Sequence, residues 1–156
     1  NQLTLGGLAQ ALRFLPSIST SEDYNLYMIN AGWTHAFAPT TIGVLTLTGG
    51  AEDAKGGRSD GDKTFWGVRA TLQHSFSSEL GTFFTAGFQR GDYSKFNTIY
   101  GLDRNDELTD AAVGLVWSLR DRWSVRPLLT YSKNRSNADV YSYSRTDASV
   151  VLRKDF

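Results

Sequence analysis

Four segments end alike and recur at the interval of a hairpin. AGWTHAF (31–37), ATLQHSF (70–76), VGLVWSL (113–119) and VVLRKDF (150–156) have last residues 39, 43 and 37 positions apart. Such a repeat describes one supersecondary unit used four times. Within each unit side chains alternate with period two, as in strands. One face takes Tyr27, Ile29, Ala31, Trp33, His35 and Phe37, then Trp66, Val68, Ala70, Leu72, His74 and Phe76. It continues through Ala111, Val113, Leu115, Trp117 and Leu119 to Ala148, Val150, Leu152, Lys154 and Phe156, and Lys154 is its one formal charge. The other face carries Arg69, Asp110, Arg145, Asp147, Arg153 and Asp155 among small polar residues. A soluble barrel keeps its apolar face inward and its charges outward. The reversed polarity here predicts a barrel whose outer face meets lipid.

Turn residues divide the chain into eight predicted strands, at about 3–13, 24–37, 41–50, 63–76, 80–91, 107–119, 123–133 and 141–156. Three connections are short (38–40, 77–79 and 120–122), and the others are longer and polar, as in GAEDAKGGRSDGD at 50–62. Short turns on one side and long loops on the other are the outer-membrane pattern. The expectation is one domain over 1–156, an all-β, eight-stranded, antiparallel, up-and-down transmembrane β-barrel closed between its first and last strands. The first strand is placed with Leu3, Leu5, Ala9 and Ala11 outward. Pro127 has no amide to donate, so it requires a bulge or a break in the ladder.

Composition removes several function classes. Lys+Arg and Asp+Glu both total 16, so no basic field favours nucleic acid. There is no cysteine, hence no thiolate metal site or thiol nucleophile. No apolar run reaches the ~18 residues of a membrane helix, but averaged hydropathy is blind to alternating strands. The chain begins at Asn1 without a signal peptide, consistent with a processed export signal or an excised segment.

The candidate side chains fall into two groups. Trp33, His35, Phe37, Trp66, His74, Phe76, Trp117 and Trp123 form expected aromatic girdles at the lipid interface. The two histidines invite an acid–base reading. They share one repeat position with Trp117 and Lys154, however, which favours headgroup contact over a lipid-modifying enzyme. Arg69, Asp110, Arg126, Asp147, Arg153 and Asp155 form an expected polar lumen, paired and plugged, because eight strands enclose little more than their own side chains. Asp53, Asp60 and Asp62 lack the ligand spacing of a calcium loop and read as a solvated loop. Arg90-Gly91-Asp92 reads as the top of a strand rather than an adhesion tripeptide. No metal, cofactor or catalytic motif is recognised.

From about Asp106 onward, the aromatic-flanked turn from Trp117 to Trp123, the run RPLLTYSKNRSN, Tyr141-Ser142-Tyr143 with Arg145, and the final LRKDF resemble the barrel end of Gram-negative outer-membrane proteins of the surface lipoprotein assembly modifier type. That resemblance implies a periplasmic helical-repeat domain ahead of a larger barrel that helps lipoproteins reach the cell surface. This sequence has no helical-repeat segment and too few strands for that barrel. It also implies that Phe156 is a signal for the barrel-assembly machinery. The expected role is a non-enzymatic outer-membrane scaffold or surface-interaction protein, in contact with outer-membrane lipids and with a surface partner through its long loops. The alternatives are a pore or translocation element derived from a larger lipoprotein-export barrel and, third, a lipid-modifying enzyme.

Overall fold

The computed structural model describes residues 1–13, 23–55 and 57–155, so Phe156 lies outside the described residues. Eight strands run in chain order: β1 (Gln2–Leu12), β2 (Tyr24–Ala38), β3 (Thr41–Ala54), β4 (Lys63–Ser75), β5 (Leu80–Asn97), β6 (Leu102–Ser118), β7 (Trp123–Ser136) and β8 (Tyr143–Lys154). Each pairs antiparallel with its neighbours in sequence, giving one up-and-down sheet of order β1 to β8.

The sheet is not closed. β1 pairs with β2 and β8 with β7, and no β1–β8 ladder exists among the described residues, which corrects the expected closed barrel. Period-two patterning specifies which face a side chain takes. It does not specify shear or circumference, so a closed barrel and an open arc share the same alternation. Every residue of β8 is exposed. The chain's accessible area is 10342 Å², against about 7,800 Å² for a compact monomer of its mass. Ala138 is the one buried hydrophobic residue among those described.

Register follows the repeat. Leu3 faces Trp33, Trp33 faces Leu45, Leu45 faces Ala70 and Ala70 faces Ala86. The row continues from Ala86 to Ala111 and from Ala111 to Tyr131. The apolar residues of all four repeat units therefore share one face, and the phase expected for β1 holds, with Leu5 opposite Ala31 and Ala9 opposite Tyr27. Lys154 lies on this face opposite Trp123, with its ammonium 5.2 Å from the indole ring.

Four strands run further than the apolar pattern predicts. β3 extends to Ala54, β5 to Asn97 and β7 to Ser136, and β6 begins at Leu102. Beyond the apolar rows the pairs become charged, as with Glu52 opposite Lys63 and Arg90 opposite Glu107. Opposite charges across a ladder hold a strand pair together without an apolar face. Much of the expected loop at 50–62 and of the segment 92–106 is consequently strand.

Pro127 interrupts one ladder without moving it. Pairs between β6 and β7 run to Gly114 opposite Leu128 and resume at Trp117 opposite Val125, in the same register. The gap is opposite Leu115 and Val116, while on its other side Pro127 still faces Val150. Any other residue at 127 would donate an amide to the Leu115 carbonyl, and proline has none. We expect Pro127→Val to complete the ladder, with the amide gained at position 127 as slow to exchange as its strand neighbours in hydrogen-exchange NMR. A fast-exchanging amide would show that another cause opens the ladder.

Candidate functional site

The face opposite the apolar rows is polar and floored by glycine. The Arg69 guanidinium crosses β5 to grip Asp110 with two hydrogen bonds of 2.7 and 2.8 Å. It passes over Gly87, where a Cβ would lie 2.9 Å from its Nη2. A side chain at 87 would block this pair. Phe83 lies over Gly114 and Phe65 over Gly50 in the same way.

The other lumen candidates share that face without joining a core. Asp147 pairs with Arg145 at 2.8 Å and Asp155 with Arg153 at 2.7 Å, each two residues away and open to solvent. Arg126 is exposed and makes no ion pair among the described residues. Arg126 lies on β7, Arg145, Asp147 and Arg153 on β8, and Asp155 on the residue after it.

The dense polar cluster lies at the long-loop end. Arg104 donates from Nη1 to Asp60 at 3.0 Å and from Nη2 to Asp106 at 2.7 Å. Its guanidinium stacks 3.3 Å from the centre of the Tyr141 ring and 4.4 Å from that of Tyr93. Asp60 is only 2% exposed and also accepts from Asn97, which is 1% exposed. Asn97 in turn accepts from the Ile99 and Tyr100 amides and so builds the β5–β6 turn. That turn closes at Gly101, whose φ of +69° suits glycine. Arg58 ties the β3–β4 connection, which carries Asp60, to β3 through Glu52 at 2.8 Å and lies 5.3 Å over Tyr93. Burial first, then the nearby Asp106 and Glu52 charges against the opposing arginines, pushes the Tyr93 phenol up to about 12. Burial alone would lower Arg104, but its hydrogen bonds to Asp106 and Asp60 and the Asp106 charge carry it upward.

Sequence reading placed Asp60 in a solvated loop, and the structure corrects this. Its partners are 37 and 44 residues away in sequence, so no local spacing announces them. Asp62 likewise accepts from the Ala54 amide at 2.8 Å, and Asp53 pairs with Lys55 at the surface. Arg90 and Asp92 pair with each other inside β5.

The aromatic candidates all lie on the apolar side. Trp33, Trp66, Trp117 and Trp123 occupy its rows, opposite Leu45, Gly49, Val125 and Lys154 respectively. His35 stacks on Trp33 at 5.4 Å, meets Phe37 edge-on at 4.5 Å and shares a 2.6 Å hydrogen bond with Asn1. His74 meets Phe76 edge-on at 4.7 Å and shares a 2.8 Å hydrogen bond with Thr41. Neither imidazole is oriented by a carboxylate among the described residues. The two stand on strands separated by β3.

An up-and-down antiparallel sheet with one charge-poor, aromatic-lined face and one polar, glycine-floored face defines an all-β protein of eight sequentially paired strands. Residues 52–156, two thirds of the chain, match the surface lipoprotein assembly modifier family, and the chain belongs to that family. No curated protein and no solved structure matches it.

Breaking a buried pair by removing one partner costs about 3–5 kcal/mol. Arg104→Met is therefore expected to lower stability by about 3 kcal/mol in urea unfolding, whereas Arg145→Ala at the exposed pair should leave the unfolding midpoint unchanged. Equal effects would refute a special role for the Arg104 cluster.

Proposed function

We propose that this chain forms part of the wall of an outer-membrane β-barrel that takes part in placing lipoproteins at the cell surface, without catalysing a reaction. One observation carries the reading: the apolar face is continuous across all eight strands, yet nothing among the described residues covers it. Leu3, Leu5, Ile29, Val150 and Leu152 each leave more than half of their surface exposed. In water such a face would be driven to bury itself at roughly 25 cal/mol per Å². In lipid it is already in its preferred solvent.

Dimensions support this. Trp66 and Phe76 are ten positions apart, which at about 3.3 Å per residue and a tilt of about 40° rises roughly 25 Å, the height of a barrel's apolar band. Above it the same face turns polar with Asn25, Asp53, Arg90, Glu107 and Arg135, as headgroups and water require. The ends with Trp117, Trp123 and Lys154 serve as the second girdle, and His35 and His74 as headgroup contacts.

The open edges favour the wall of a larger barrel over an independent, plugged eight-stranded scaffold. Hydrocarbon offers no partner for a strand edge, so lipid tolerates only closed sheets. In a membrane, β1 and β8 must each meet a further strand, whether from this polypeptide or another. The polar, glycine-floored face then lines a lumen wider than eight strands enclose. Membership of the surface lipoprotein assembly modifier family supports lipoproteins as the partners.

The protein's four tryptophans all lie on the apolar rows, so they report directly on its solvent. Folded into vesicles whose lipids carry brominated chains, the protein should lose most of its tryptophan fluorescence. Unquenched emission, or a monodisperse protein without detergent, would refute the reading.

A further inference from the structure

Beneath the Arg104 cluster, the concave face holds a cavity of about 230 Å³ between β4 and β8. Its walls include Lys63, Gln89, Tyr93, Asp106, Asn134 and Tyr143. Their hydrogen-bonding capacity is only partly used. Gln89 makes no side-chain hydrogen bond among the described residues. The Lys63 ammonium is 3.6 Å from Glu52, beyond hydrogen-bond reach. The Tyr93 hydroxyl reaches Asp106 only at 3.5 Å, and Asn134 donates to the Tyr141 carbonyl while its own side-chain oxygen is left to accept. The Tyr143 ring is half exposed, and no aromatic or cationic group stacks on it among the described residues.

The cavity carries little net charge. Arg58, Lys63 and Arg104 stand against Glu52, Asp60 and Asp106, three cations to three carboxylates. An ionic ligand would find no unbalanced field here. Donors and acceptors both line the wall, Tyr143 offers an aromatic face, and Leu108 adds an apolar patch. A neutral polyhydroxy ring has complementary chemistry: hydroxyls that both give and accept, and C–H groups that lie against a ring. The volume is below the about 300–1,000 Å³ of drug-sized sites, which limits the fit to one such ring.

We propose that this cavity binds a single neutral sugar ring, with Gln89, Asn134 and Lys63 bonding its hydroxyls and Tyr143 stacking on its face. The Arg104 cluster acts as a positioning group, holding Tyr93 and the loop end rigid so that binding costs little ordering. The ring can belong to a free saccharide or to a glycolipid headgroup. The site depends on the concave face alone and stands apart from the lipid reading of the opposite face.

The test is titration of the whole chain, folded in a sugar-free zwitterionic detergent, with methyl β-glucopyranoside while NMR follows the Gln89 and Asn134 side-chain amides. Saturable shifts are expected, weakened at least tenfold by Tyr143→Ala and by Gln89→Leu with the far-ultraviolet dichroism unchanged. A glucosyl lipid added to the micelles distinguishes the sources: tighter saturation than the glycoside assigns the site to headgroups, and equal or weaker saturation assigns it to free saccharide. Shifts that grow linearly without saturating, that persist in both variants, or that sulfate produces at lower concentration would overturn the proposal.

Discussion

The unbroken charge-poor face is the constraint on which the rest of the molecule depends. It runs from Leu3 on β1 to Leu152 on β8 through a ladder of cross-strand pairs whose register within the apolar rows shifts only at the turn end, between Ala36 and Ala38 beside Phe37. No second layer packs on it among the described residues, and no large apolar side chain described on the polar side is fully buried. The order of this sheet therefore comes from backbone pairing, glycine-floored close approaches and a few polar cross-braces. Its hydrophobic term is left to the surroundings.

The cross-braces differ in kind along the strand axis. On the polar face, level with the apolar rows, Arg69 and Asp110 use good bidentate geometry but the guanidinium stays half-exposed, so solvent screens the pair. At the loop end, Arg104 is enclosed by two carboxylates and two tyrosine rings, and Asp60 brings in a loop from another hairpin. There the desolvation cost of each charge is offset only if every partner is present. The long hairpin of β5 and β6 thus extends past the apolar rows as a braced element rather than a loose loop.

Face, strand order and number were legible in the sequence because each is a local period. Trp33, Trp66 and Trp117 fall on one face for the same reason that Ala31, Ala70 and Val113 do. Strand ends were less legible, since Lys63 opposite Glu52 and Glu107 opposite Arg90 continue the ladder after the apolar signal stops. Closure was not legible at all, because alternation says nothing of circumference. The Arg104 cluster was hidden for a different reason: Asp60 and Tyr141 come from two separate connections, Asn97 and Arg104 from the facing ends of β5 and β6, and they meet only once the sheet has formed. The role of Pro127 was half legible. A missing donor could be read from the residue, but its position opposite Leu115 requires the register.

The central claim is that lipid lies against the apolar rows and water against the polar side. Because the chain has no cysteine, single cysteines can be placed one at a time from 64 to 75 along β4 and spin-labelled in vesicles. Collision with oxygen should then alternate with period two, high at positions 66, 68, 70, 72 and 74, and peak near Ala70, while a water-soluble relaxant favours the intervening positions. Equal access of the water-soluble relaxant to both sets, or a profile without alternation, would contradict the account.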